Sequence, residues 1–296
     1  LRAQAAMLLG LGLLHLAVGE HARAVEYNSR AVALSLTTGW QELQAIALTN
    51  LGGSYLELGW LEHAADQFQR ALAVNEKLGR GSGQAMSLGN LGSVCLELGE
   101  LDRAADYLRQ AVARPESASA PDGGATHRVN LGETYLSLGD LDAATEQLTA
   151  AIAAAQTADR QDCQALALAL LAAVDRERGQ HARALEQTTA ALALIEPSGN
   201  GYDQAVILNV VGTVLHDQGR HDQAIEAHEK ALRCARLADS PRPEVIALIG
   251  LACCHYQLGQ ADVARSRAEQ AVEIAQRIGY RPLEAQAREL LLTYPT

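Results

Sequence analysis

Asn90-Leu-Gly-Ser-Val-Cys-Leu-Glu-Leu-Gly-Glu-Leu-Asp-Arg-Ala-Ala-Asp-Tyr-Leu-Arg-Gln-Ala-Val112 recurs along the chain. Forty residues earlier stand Asn50-Leu-Gly-Gly-Ser-Tyr-Leu-Glu-Leu-Gly59, then Ala64 and Ala71-Leu72. Forty residues later stand Asn130-Leu-Gly-Glu-Thr-Tyr-Leu-Ser-Leu-Gly139, then Ala144 and Ala151-Ile152. Followed outward, four series run unbroken through seven copies. A small residue falls at Gly12, Gly52, Gly92, Gly132, Ala172, Gly212 and Ala252. A glycine follows at Gly19, Gly59, Gly99, Gly139, Gly179, Gly219 and Gly259. Alanines then recur from Ala24 to Ala264 and from Ala31 to Ala271 at the same period.

Each series has a physical reason. Apolar residues such as Leu101, Ala104, Ala105, Leu108 and Val112 recur at helical spacing. The glycine after each first helix suits a left-handed residue that ends a helix. The small residues fit where two antiparallel helices cross closely. One helical hairpin cannot bury both of its faces, whereas stacked hairpins can. The predicted fold is all-α, a right-handed superhelical solenoid of seven helix-turn-helix repeats of forty residues each, starting at about 1, 41, 81, 121, 161, 201 and 241. A capping helix over 283–293 closes the end. The second helices should run on to Gly39, Gly79, Gly199 and Gly279.

Bulk properties narrow the function. Hydrophobic residues make up 48% of 296, enough for a continuous core, but aromatics are only 4%, so Ala and Leu must fill it. Twenty-four basic against 35 acidic residues leave a net charge of −11. That disfavours a nucleic-acid surface or docking on anionic membranes. No apolar run approaches the roughly 20 residues of a membrane span. The five cysteines are odd in number and contain no C-x-x-C pair, so a disulfide framework is not expected and a reducing cytoplasm is. The start at Leu1, already inside a helical pattern, reads as a piece of a longer protein. High Ala and Arg with almost no Lys points to a GC-rich bacterial source.

The regularity weakens in places. Pro115 and Pro121 should end the second helix of repeat three early, making 115–124 a candidate flexible joint. Pro197-Ser-Gly-Asn-Gly201 and Ser240-Pro-Arg-Pro243 read as shorter loops. Repeat five carries Asp175-Arg-Glu-Arg178 where others are apolar.

Leu51, Gly52, Tyr55, Ala64, Phe68 and Ala71 match the pattern of the tetratricopeptide repeat, which the chain resembles over nearly its whole length. The period is longer than the family's usual one, and its helix-ending Pro is replaced by Glu76 or Gln276. In this it resembles the forty-residue subclass of Pins-type polarity adaptors and of bacterial multidomain transcription regulators of the antibiotic-regulatory-protein type. The resemblance implies that first helices line a concave groove that takes a peptide or protein segment. Carried over position by position, the groove holds Asn50, Asn90 and Asn130, with Thr49, Ser93 and Glu133 close by, and Glu57 and Glu97 one turn along. Arg128, beside the joint, and Arg176, Asn209, His216 and Tyr256 complete the candidate binding set. Slots in which chaperone-binding relatives place Lys and Arg hold Ile46, Met86, Thr49 and Gly89, so that partner class is disfavoured.

Asn carries both a donor and an acceptor without charge, which suits the backbone of an extended peptide. Bonds from these Asn to neighbouring helices or to water fit the sequence too. The acidic residues point either to a basic ligand or to a solvated face. His216, Cys253, Cys254 and His255 contain metal-ligand types, but Cys253 and His255 point to different helix faces, so no metal or other cofactor is expected. His21, His181 and His221 share one turn position and read as part of the repeat. No phosphate loop, nucleophile elbow or H-E-x-x-H is present, and no catalysis is expected. The expected function is a non-catalytic regulatory module that binds a protein or peptide segment, or another domain of its own chain. Two rivals stand beside it: a sensor for a signalling peptide or small molecule, and a scaffold that self-associates into homo-oligomers.

Overall fold

The computed structural model describes residues 1–114, 124–195 and 201–294. Every regular element among them is an α-helix. Contacts group the chain into two units, Leu1–Pro121 and Asp122–Thr296. Of the expected joint at 115–124, only Gly124 is among the described residues, and of the Pro197 loop only Gly201 is.

The first unit holds three hairpins: α1 (Arg2–Ala17) with α2 (His21–Thr38), α3 (Gln41–Glu57) with α4 (Leu61–Lys77), and α5 (Gly81–Glu97) with α6 (Leu101–Val112). The last of these helices stops at Val112, whereas the counterpart of Lys77 would be 117, so α6 is short, as expected. In the second unit, α7 (Ala125–Leu138) pairs with α8 (Leu141–Thr157) and α9 (Gln161–Glu177) with α10 (His181–Ile195). The next pairs are α11 (Gly201–Asp217) with α12 (His221–Leu237) and α13 (Pro241–Gln257) with α14 (Ala261–Arg277). Helix α15 (Arg281–Thr293) packs on α14 and α13 as the cap. Within each unit a first helix touches its own partner, the preceding second helix and the next first helix. That is the contact pattern of a stack.

All seven hairpin glycines are left-handed, with φ between 73° at Gly59 and 80° at Gly139. At Gly59 the turn closes through Gly59 N–H to Leu56 O (2.9 Å) and Trp60 N–H to Tyr55 O (2.8 Å), satisfying carbonyls that the helix end leaves open. The turns between repeats use the same conformation at Gly39, Gly79 and Gly279, but Asp159 and Asp239 adopt it at φ 53° and 48°. Ser240-Pro-Arg-Pro243 is not a loop. Pro241 and Pro243 lie in the first turn of α13, where a missing N–H breaks no helical bond.

The small-residue series is explained by what lies opposite, sixteen residues on. A Cβ built on Gly52 would stand 2.6 Å from the Phe68 ring, and one on Gly92 or Gly132 would stand 2.5 Å from Leu108 or Leu148. Gly12 faces Asn28 and Gly212 faces His228 in the same way. Where the first residue is Ala172 or Ala252, the opposite slot holds only Thr188 or Ala268. Five of the seven hairpins therefore seat one side chain of the second helix against the bare backbone of the first.

Asp175 of repeat five is buried and pairs with Arg183 at 3.1 Å, while Arg178 reaches back to α8, to Asp142, Thr145 Oγ1 (3.1 Å) and Leu141 O (3.2 Å). The polar run thus serves as a clamp between repeats four and five.

Candidate functional site

Residues 46, 50, 53 and 57 of α3 and 86, 90, 93 and 97 of α5 form equivalent helical stripes. The helix sides that hold Leu48 and Leu51, or Leu88 and Leu91, are buried, so these stripes form the outer face of the first unit. Ile46 is 42% and Met86 48% exposed, so large apolar side chains stand in the open at corresponding positions of adjacent first helices. Asn50 and Asn90, one turn further, are half-buried. Among the described residues neither amide has a protein hydrogen-bond partner. A Cβ on Gly53 would meet nothing within 4 Å, so the space beside this glycine is open. Thr49 and Ser93 donate their hydroxyl protons to Ala45 O (3.0 Å) and Gly89 O (3.1 Å) of their own helices. Glu57 is exposed and Glu97 half-buried at the rim of this face.

In the second unit most of the expected contact residues are engaged internally. Asn209 is 3% exposed, donates from Nδ2 to Pro243 O (2.9 Å) and lies 3.1 Å from His228 Nδ1 through Oδ1. It is a core amide that joins α11, α12 and α13, and the expectation that it contacts a ligand is corrected. Glu133 forms an ion pair with Arg242. Arg128 donates to Gln147 Oε1 on α8 (3.2 Å), and Arg176 pairs with Glu177 and, at 3.0 Å, with Asp217. Tyr256 stacks on Tyr294, ring centroids 4.2 Å apart, and so anchors the residue that follows α15. Asn130 is half-buried on α7, and its carbonyl accepts from Thr134 Oγ1 (2.7 Å).

A cavity of about 140 Å³ opens on the second unit between α11, α13 and α15, lined by Thr213, His216, Ile246, Ile249, Cys253 and Gln286. Its floor is His228, 1% exposed, with no partner for Nε2. Burial holds this imidazole neutral, its pKa pushed down to about 4. His216, at the cavity edge, places Nδ1 3.3 Å from Cys254 Sγ and its ring 5.0 Å from that of His221. Burial, with His221 second, lowers the His216 pKa, and burial raises the Cys254 thiol to about 12. The two adjacent cysteines part on the helix: Cys253 lines the cavity, while Cys254 meets the histidines. The signal was present in the sequence as three polar residues at slots that are apolar in repeats two and four.

Stacked hairpins with an apolar and amide-bearing outer face define a helical-repeat interaction module. Profiles of the tetratricopeptide repeat match residues 43–117 and 203–277, and a second such profile matches 96–160. The chain belongs to the tetratricopeptide repeat family. No curated protein matches the sequence. Among solved structures, the apo form of RapI superposes with a TM-score of 0.73 at 13% identity, covering 98% of this chain and 99% of that one. A Rap protein complexed with Competence and Sporulation Factor gives 0.63 at 12% identity, over 99% and 98%. A signal transduction ATPase with numerous domains from Pyrococcus horikoshii, which carries a tetratricopeptide repeat sensor, gives 0.57 at 14% identity over 97% of this chain and 48% of that one. At these identities the likeness is one of fold.

Proposed function

We propose that this protein is a non-catalytic regulatory module that holds an extended protein or peptide segment, from a partner or from its own chain, on its first-helix faces. Asn50 and Asn90 bond the segment backbone, and Ile46 and Met86 take apolar side chains. The observation that carries this reading is the recurrence of two amides without protein partners beside two exposed apolar residues at the same repeat positions. Each amide bond contributes about 0.5–1.5 kcal/mol, so the apolar anchors must supply much of the affinity. A regulatory setting agrees with the fold likeness to a Rap protein in complex with a factor and to a tetratricopeptide repeat sensor.

The test is quantitative capture of partners by the wild type, by Asn50→Ala/Asn90→Ala and by Ile46→Asp/Met86→Asp, with melting curves to show that each variant folds. A partner lost from both folded variants supports the reading. An unchanged set of partners refutes it.

A further inference from the structure

His216, His221 and Cys254 bring three potential metal-ligand atoms to within 4.8 Å of one another. His216 stands in the last turn of α11, His221 opens α12, and Cys254 lies in α13. The trio therefore joins both helices of repeat six to the first helix of repeat seven. The left-handed turn at Gly219 (φ 73°) folds His221 back beside His216, and helix packing sets Cys254 Sγ 3.3 Å from His216 Nδ1. Around a tetrahedral zinc ion, with bonds of about 2.0 Å to nitrogen and 2.3 Å to sulfur, neighbouring ligand atoms stand roughly 3.5 Å apart. The trio is close to that spacing before any ion arrives.

Comparison with the other repeats separates this cluster from the ordinary design of the fold. The same three slots hold Leu56, Leu61 and Val94 in repeat two, and Leu136, Leu141 and Val174 in repeat four. There they are simply part of the apolar packing. Repeats one and five share the turn histidine, as His21 and His181, but pair it with Leu16 and Ser54 or with Arg176 and Val214. A turn histidine alone is thus a feature of the repeat. Only repeat six adds a second imidazole and a thiol within reach.

We propose that His216, His221 and Cys254 bind one borderline-soft divalent transition-metal ion, for which zinc is the best match, with water as the fourth ligand. Two nitrogens and a sulfur suit such an ion, whereas magnesium and calcium take oxygen. On binding, the Cys254 S–H bond breaks, the sulfur–metal bond forms, and the proton goes to solvent. The two imidazoles bind as neutral bases, no electron is transferred, and one proton is released per ion. The ion ties α11, α12 and α13 together beside the cavity that His216 lines.

The test uses the reduced, chelator-stripped protein titrated with Co²⁺. A sulfur-to-cobalt charge-transfer band that saturates at one equivalent is expected, together with release of one proton, displacement by Zn²⁺ and a higher melting temperature with Zn²⁺. Cys254→Ser should abolish the band, and Cys253→Ser should keep it. Loss of outer partners of a metal ligand already weakens affinity about 10- to 100-fold, so His221→Gln, which removes a ligand at a partly exposed turn, should weaken it at least as much. Should Cys254→Ser fail to fold, His221→Gln decides alone. Absence of the band from the wild type, its survival in Cys254→Ser, or unchanged affinity in His221→Gln overturns the proposal.

Discussion

The residue opposite each small position shows how closely one side chain is fitted to its hairpin. Phe68, Leu108 and Leu148 fill the space over a glycine with apolar atoms. Asn28 occupies the same slot over Gly12, is fully buried, and has no partner for either end of its amide among the described residues. A buried amide without hydrogen bonds costs about 1–3 kcal/mol, and leucine is the residue that the same slot accepts twice elsewhere in this chain. Asn28→Leu should stabilise the protein by roughly 1–3 kcal/mol in urea denaturation. A destabilised variant would mean that Asn28 has a partner in the working protein, which the fold alone does not reveal. His228 is the other polar occupant, and there the same substitution should not help, because His228 meets Asn209 and seats between Gly212 and Gly250.

At the scale of elements, the helix boundaries were the most legible feature of the sequence. The seven hairpin glycines, the early end of α6 and the closing helix all follow from local chemistry that glycine, proline and helical periodicity carry on their own. Two features did not follow. Ser240-Pro-Arg-Pro243 resembles a loop by composition, yet proline is also favoured at the first helical position, and the forty-residue register places Pro241 there. Asp159 and Asp239 sit where Gly39, Gly79 and Gly279 make the inter-repeat turn, because aspartate tolerates the left-handed region better than most side chains. That tolerance is incomplete. Asp159→Gly and Asp239→Gly should each raise stability, by about 0.5–1 kcal/mol after the larger backbone entropy of glycine in the unfolded chain is subtracted. The two turns are far apart in sequence, so the effects should add within about 0.5 kcal/mol. Thermal melts of the two single variants and the double variant would check both statements, and a loss of stability in either single variant would show that the Asp side chain itself supports the turn.

At the scale of the molecule, stacking confines most contacts to a repeat and its immediate neighbours, and this explains which parts of the candidate site could be read beforehand. Asn50 and Asn90, placed by the family resemblance, are half-buried and have no protein partner among the described residues. Asn209 and Glu133 do not stay available, because their partners Pro243 and Arg242 lie 34 and 109 residues away, where no local pattern reaches. The Glu133–Arg242 pair is the more consequential of the two. It joins repeat four to repeat seven within the second unit, past two intervening repeats, and Arg242 also lies 5.8 Å over the ring of Tyr280. Both side chains are about one-fifth exposed, so water screens the pair only in part. A double-mutant cycle with Glu133→Gln and Arg242→Gln should yield a coupling of about 0.5–1 kcal/mol at low salt, falling as salt is added. Because the pair spans repeats that otherwise communicate only through their neighbours, its loss should also speed hydrogen exchange in both α7 and α13. Such exchange at both ends would show that the second unit is held by more than nearest-neighbour stacking. A coupling of zero with unchanged exchange would reduce the pair to a surface contact.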